Sequence, residues 1–382
     1  MSPANAKSRK MARSGRSEAE TGLRRLREAI DAIDADLLAL LNRRAAASLE
    51  VGRLKAETGA PIFRPGREEA LLGRLLAANS GPLQEEHIRG IYREILSASR
   101  ALQRPLRVAF LGPEGTFSHM ACLEHFSSGV TCMPVAHLAD IFQAVENGAC
   151  ELGVVPLENA VHGTVVQSLD LFAGHEVFVL AERISRIHLS LMARASSLAG
   201  IRVVYSHAQP LGQCASWLRL NLPQARQISL ESTAAAAHRA AREKDSAAVA
   251  HAGLAGSLGL AVLASNIEDI PDNSTRFLVI GPTLVVEPGA DKSSLLFAIA
   301  DKPGSLATVL RILADAGINL SKLESRPMRG ERWKYLFFAD LDCDITAKAP
   351  ALQAMRDCCL RLRVLGVYPA AGRPAALGLE KR

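Results

Sequence analysis

The chain has 382 residues, 48% of them apolar and 4% aromatic, with a net charge of +6. That length predicts two or three domains, each able to bury its own core. The longest apolar runs, such as Ala234 to Ala237 and Leu295 to Ala300, are too short to span a bilayer, and no apolar block follows the basic N-terminus as a secretory signal requires.

Residues 1–17 carry Lys7, Arg9, Lys10, Arg13 and Arg16 and no acid, so most of the excess charge predicts a solvated, disordered basic tail. The tail lacks aromatics to stack bases, which argues against a nucleic-acid arm. Cys122, Cys132, Cys150, Cys214, Cys343, Cys358 and Cys359 are odd in number and lack metal-ligand spacing. They read as reduced thiols of a cytoplasmic protein, with no disulfide, metal or cofactor expected.

From Leu23 to Leu54 apolar residues recur at alternating intervals of three and four: Leu26, Ile30, Ile33, Leu37, Leu40 and onward. This is a helical seam from about Glu18 to Thr58, too long to be stable without a partner. The seam runs through Arg44, and Lys55 falls on the same face within ~20°. A buried cation needs an anion opposite it. Arg27 lies ~25 Å away along the axis, so only an antiparallel second copy brings it to that pocket. Further helices are predicted near Arg67-Glu68 and from about Leu83 to Gln103, completing a helical module over 18–104. Leu26-Arg27, Ile30, Ile33-Asp34, Leu37-Leu38, Arg44, Val51-Gly52, Lys55 and Arg67-Glu68 resemble the all-helical chorismate mutase family. The resemblance implies an intertwined homodimer. It also implies that Arg27 and Arg44 grip the carboxylates of chorismate, Lys55 and Gln103 bond its ether oxygen, and Arg67, Glu68 and Ser99 hold the remaining polar edge. A Claisen rearrangement needs only a folded dianion and cations at the breaking C–O bond, which suits these residue types.

Over 105–282 short β-rich runs alternate with helical stretches, predicting a two-lobed α/β domain with a cleft. Gly112-Pro113-Glu114-Gly115-Thr116-Phe117-Ser118 reads as a turn opening a helix, a place to hold an anion, without the glycine pattern of a dinucleotide or ATP site. Two polar clusters, Glu158-Asn159 after Val154-Val155 and Asp272-Asn273-Ser274-Thr275-Arg276 before Phe277, read as loops at strand ends where one small anion can reach both. Ser206 reads as a helix cap, with Gln213 just inside that helix; Cys214 with His207 lacks a third orienting group for covalent catalysis. Together with Glu231-Ser232-Thr233, these ordered stretches resemble prephenate dehydratase, whose fold is of the periplasmic-binding-protein type. The resemblance implies a prephenate site in which Thr275 is the catalytic hydroxyl. Glu158, if desolvated and protonated, is the proton source, with Glu231 in reserve. Thr116, Asn159, Ser206 and Gln213 contact substrate, and Arg276 either pairs the pyruvyl carboxylate or braces its strand. Residues alone leave open a two-lobed binding protein without turnover.

Residues 293–370 follow a βαββαβ order, a ferredoxin-like α+β fold, with a hairpin near Arg329-Gly330 and a tail over 371–382. Pro303-Gly304-Ser305-Leu306 and Glu324-Ser325-Arg326-Pro327 resemble the ACT domain of these dehydratases. The resemblance implies phenylalanine bound at a domain pair near Gly304, Leu306, Asn319, Glu324, Ser325 and Arg326, inhibiting the enzyme. The whole order resembles the bifunctional family of phenylalanine biosynthesis.

Overall fold

The computed structural model describes residues 3–58, 63–103, 105–286, 289–327 and 335–372. The hairpin expected near Arg329-Gly330 and the tail after Gly372 lie outside the described residues. The chain divides into two compact units, Met1–Ile62 with Ala98–Arg104 and Phe63–Ser97 with Pro105–Arg382. No described helix is long and apolar enough to cross a membrane.

Helix α1 runs Pro3–Thr58. It begins some fifteen residues earlier than its seam requires, with helical backbone from Pro3 through most of the stretch read as a tail. Ala4, Ala6, Lys7, Arg9, Lys10 and Met11 are strong helix formers. They extend a helix already formed C-terminal to them, so they avoid the cost of nucleation. The seam itself lies at the surface of the single chain, with Leu26, Ile30, Ile33, Leu37 and Leu54 each at least half exposed. Helix α2 (Pro65–Ala78) opens on a proline, whose fixed φ suits the first helical position. Helix α3 (Glu85–Gln103) opens on Glu85 and Glu86, at the positive end of its dipole.

A first lobe follows from β1 (Leu106–Leu111), α4 (Phe117–Phe126), β2 (Val130–Val135), α5 (Leu138–Glu146), β3 (Leu152–Asn159), the short β4 (Gly163–Thr164), α6 (Val166–Gly174) and β5 (Phe178–Arg186). The second lobe holds β6 (Ser190–Ala193), β7 (Val203–Ser206), α7 (Ala208–Gln213), α8 (Ala215–Asn221), β8 (Arg226–Ser229), α9 (Thr233–Ala240), β9 (Ser246–Ala250), α10 (Leu254–Leu258) and β10 (Ala261–Ala264). Strand β11 (Ser274–Gly281) then returns to the first lobe and enters its sheet between β3 and β5, giving the order β2-β1-β3-β11-β5. The second sheet has the order β10-β6-β9-β7-β8. The central strands are buried apolar runs, as strands covered on both faces must be.

Strand β11 lies antiparallel to β3 with Thr275 opposite Asn159 and Arg276 opposite Glu158. Glu158-Asn159 and Ser274-Thr275-Arg276 are therefore inside paired strands, while Asp272-Asn273 lie just ahead of β11. Alternation along each strand sends Asn159 and Thr275 to one face of the sheet and Glu158 and Arg276 to the other.

The last domain is β12 (Lys292–Ala298), α11 (Ser305–Asp315), β13 (Leu320–Pro327), β14 (Tyr335–Leu341), α12 (Ala349–Cys358) and β15 (Arg361–Tyr368). Its sheet is antiparallel in the order β13-β14-β12-β15, matching the ferredoxin-like expectation. One face packs under α11 and α12 through Leu295, Phe297, Val309, Leu313 and Met355. The other face continues the core of the first lobe: Leu296, Phe338, Leu365 and Tyr368 join Leu138, Phe142, Phe172 and Val179. Strand β15 reaches β5 so closely that a Cβ on Gly366 would sit 2.2 Å from the Val179 carbonyl oxygen. Gly366→Ala should therefore destabilise the protein by about 1–3 kcal/mol, visible as a lower melting temperature in differential scanning calorimetry.

Candidate active sites

In the helical unit, Arg44 and Lys55 are half-buried on one face of α1, while Arg27 is exposed further along the rod. The Arg44 guanidinium donates to Ser99 Oγ on the last turns of α3. Gly52 makes this approach possible: a Cβ there would meet Gln103 at 3.0 Å. Gln103 Oε1 is buried with no hydrogen-bond partner among the described residues, a state that costs free energy until a ligand or a rotated amide relieves it. Arg67 is exposed and Glu68 half-buried in the first turn of α2, in the second compact unit.

In the lobed unit, the side chains of Asn159, Asn273 and Thr275 are nearly buried together. Asn159 Nδ2 donates to Asn273 Oδ1 at 2.8 Å, to Thr275 Oγ1 at 2.9 Å and to the Ser274 carbonyl at 3.2 Å. Asn159 Oδ1 accepts from the backbone N–H groups of Val161 at 3.1 Å and His162 at 3.0 Å. Those two donors fix which way the amide points. Thr275 Oγ1 must then accept from Asn159, which leaves its own O–H free to donate to something in the cleft. From the second lobe, Gln213 reaches His162 Nε2 at 2.9 Å.

Other residues expected at the substrate are engaged within the protein or lie exposed. Thr116 is spent as the N-cap of α4: its hydroxyl donates to the Leu111 carbonyl at 2.9 Å and accepts from His119 N–H at 3.3 Å. Gly115 N–H, in the loop expected to hold an anion, is taken by His119 Nδ1 at 2.9 Å. Ser206 ends β7, fully buried, and donates to the Val249 carbonyl at 2.6 Å; His207 rather than Ser206 caps α7. Glu231 is exposed in the turn before α9, without a hydrogen bond or ion pair among the described residues. Burial pushes the Cys214 thiol up to about 12, so it is no thiolate nucleophile at neutral pH.

The opposite face of the β3–β11 pair meets the last domain. Arg276 Nε bonds Glu182 at 2.7 Å, Nη1 bonds Asp340, and Nη2 donates to the Tyr368 hydroxyl at 3.2 Å. Lys292 Nζ adds a second cation on Glu182 at 2.9 Å. Burial alone favours the neutral form of Arg276, and Tyr368, Asp340 and Glu182 outweigh it, so its pKa is raised. The role of Arg276 in binding prephenate is thus corrected to the alternative, bracing. Glu158 is corrected likewise: it is 39% exposed, pairs with Lys322 Nζ at 3.0 Å and faces away from Thr275, so it is neither desolvated nor placed as the proton source.

Models of three known families match the chain in order: chorismate mutase type II over residues 26–104, prephenate dehydratase over 108–283 and the ACT domain over 293–351. The bifunctional chorismate mutase/prephenate dehydratase of Aquifex aeolicus is 39% identical over 355 residues, covering 91% of this chain and 98% of its own. That of Pseudomonas aeruginosa is 40% identical over 359 residues, with the same coverage. The chain belongs to this bifunctional family. A crystal structure of prephenate dehydratase from Arthrobacter aurescens, in complex with L-Phe, aligns at 33% identity and a TM-score of 0.65, covering 72% of this chain and 94% of that one.

Within the ACT domain, Gly304 (φ +84°) and Leu306 line a recess of about 240 Å³ at the start of α11, with Asp301, Ser305, Tyr335 and Phe337. The other residues expected at an effector site are elsewhere. Asn319 lies beyond the far end of α11 and bonds Asp342 at 2.5 Å. An eleven-residue helix is ~16 Å long, so one domain cannot close Gly304 and Asn319 on the same amino acid. Glu324 accepts from Thr164 at 3.0 Å, and Arg326 pairs with Asp170 at 3.1 Å. Both face the dehydratase lobe because β13 alternates, while Ser325 is exposed on the opposite side.

Asn273, His162, Lys322, Glu182 and Asp340 were not picked out from the sequence. Only Asn273 had a signal, its place in Asp272-Asn273-Ser274-Thr275. Arg276→Met should leave Asp340 as a buried anion without its cation and Glu182 with Lys292 alone, cost about 3–5 kcal/mol and lower the urea midpoint. The KM for prephenate of the folded variant should stay within about twofold.

Proposed function

We propose the residues by which this chain carries the two reactions of its family, chorismate to prephenate and prephenate to phenylpyruvate. In the first, a flexible dianion must be held folded while its C–O bond breaks. Arg44 and Lys55 supply long-armed cations three turns apart on one helix face, Ser99 orients Arg44, and Gln103, with its amide turned, donates from Nε2 to the ether oxygen. Arg27 comes from a second copy: the exposed seam of α1 supports a homodimer, since burying each Leu or Ile of it is worth about 1.5–3 kcal/mol.

In the second reaction the ring carboxylate leaves as CO₂. Its bonding electrons enter the ring, the ring C–O bond breaks, and the departing hydroxide takes up a proton to leave as water. Aromatisation drives the step, and the protein must supply a donor to the leaving oxygen. Thr275 is that donor. The observation that carries this reading is the hydrogen bond from Asn159 Nδ2, at 2.9 Å, which makes the Thr275 oxygen an acceptor and frees its hydrogen. Gln213 holds the substrate from the opposite lobe. Phenylalanine inhibits by binding where two ACT domains meet, which would bring Gly304 of one domain to Asn319 of another. The domain limits are 18–104, 105–282 and 293–370, and the enzyme works in the cytoplasm.

The test is an ultraviolet assay with chorismate alone. The wild type should form phenylpyruvate. Thr275→Val should lower its formation by roughly 10²–10³-fold and accumulate prephenate. Lys55→Ala should slow chorismate consumption by on the order of 10²-fold and leave conversion of added prephenate unchanged. A T275V enzyme within threefold of wild type would remove Thr275 from the mechanism.

A further inference from the structure

Residues 158–164 form a tight hairpin that carries Asn159. Glu158 is opposite Thr164 across it, and Asn159 is opposite Gly163. Its tip is held by Asn159 itself, through the N–H groups of Val161 and His162. Its base is held from outside. Lys322 Nζ, on β13 of the ACT domain, reaches the Glu158 carboxylate at 3.0 Å and donates to Thr164 Oγ1 at 2.9 Å. Thr164 Oγ1 passes its own hydrogen to Glu324 at 3.0 Å. One ammonium thus ties the two strands of the hairpin together across their facing residues. The lysine side chain is only 11% exposed, while the Glu158 end of the tie is 39% exposed and partly screened by water. Arg326, four residues beyond Lys322 on the same face of β13, fixes Asp170 on the following helix.

We propose that Lys322 is a positioning residue of the dehydratase: the ACT domain supplies the cation that sets the 158–164 hairpin, and through it the Asn159–Thr275 hydrogen bond. The proposal rests on the reading of Asn159 and Thr275 given above. Lys322 touches no substrate. It acts by fixing where the Asn159 amide begins, since Asn159 follows Glu158 directly. A shift of the hairpin base would turn that amide away from Thr275 Oγ1, and the Thr275 hydrogen would no longer be reserved for the leaving oxygen. Substrate binding by Gln213 and the rest of the cleft would persist, so the loss belongs in kcat rather than KM.

The experiment measures both activities of the full-length protein for Lys322→Met, Lys322→Arg, Glu158→Gln and the E158Q/K322M double variant. Methionine keeps the buried stem, and the mutase activity of the same chain serves as the folding control. The expected result is a dehydratase kcat lowered about tenfold in K322M, KM and mutase activity within about twofold of wild type, and most of the kcat restored in K322R. E158Q should lose a similar factor and the double variant no more than either alone, because both changes remove the same tie. Thr164→Val, which removes the shared hydroxyl, should fall in the same direction. The proposal is overturned if K322M keeps its dehydratase kcat, if the E158Q and K322M losses multiply, or if mutase and dehydratase fall together. Thr275→Val distinguishes the two readings. An active T275V overturns the assignment of the cleft, whereas an inactive T275V beside a wild-type-like K322M overturns only the role of Lys322.

Discussion

The register between β3 and β11 is the constraint on which the dehydratase half depends. Thr275 opposite Asn159 and Arg276 opposite Glu158 fix two different surfaces with one set of backbone hydrogen bonds. One surface is the small polar constellation of the cleft. The other is a charged seam against the ACT domain. A slip of one residue would exchange them, sending Arg276 into the cleft and Thr275 under the regulatory sheet. On the role proposed for Thr275, catalysis and docking are therefore not separable properties of this strand pair. The buried ions on the docking side, two cations against Glu182 and Asp340, also penalise any such slip, because each would lose its partner in a medium that solvates it poorly.

Much of this was legible in the sequence, and the reason differs by element. The helical seam from Leu23 to Leu54 and the βαββαβ order at the C-terminus follow from hydrophobic period and turn residues, which are local properties. The polar clusters were misplaced for an equally local reason. Pro156 and the Asp272-Asn273-Ser274 run carry turn chemistry, so they read as loops. In the structure Pro156 is opposite Phe277 beside a register shift that spares the sheet its missing N–H. Once the residues are inside strands, the two-residue period decides which of them share a face. That decision turned Glu158 and Arg276 from ligands into anchors. Lys322, Glu182 and Asp340 were beyond reach because their meaning lies in partners more than sixty residues away. Nothing about a lysine in an alternating strand announces a distant carboxylate.

The helical module shows the converse. Its residues on one face were placed well by the helical wheel, and the structure adds the contact that the wheel cannot show, the close approach of Gly52 to Gln103. A single chain leaves the seam bare, with Leu, Ile and Val side chains along much of the rod open to solvent. The long basic N-terminal extension of α1 keeps a helical backbone because it grows from this already ordered rod.

The shared core between the first lobe and the ACT sheet bears on how such enzymes can be re-engineered or have diversified. Leu296, Phe338, Leu365 and Tyr368 belong to the same packed interior as Phe142 and Phe172. The regulator is therefore not a cassette that can be unplugged. Cutting the chain ahead of β12 would strip an apolar wall from the catalytic lobe and create a sticky, aggregation-prone surface where a sheet had been. If the recess at Gly304 takes the effector as proposed, escape from end-product control is better sought by single substitutions around it than by truncation, since only the former leaves the common interior closed.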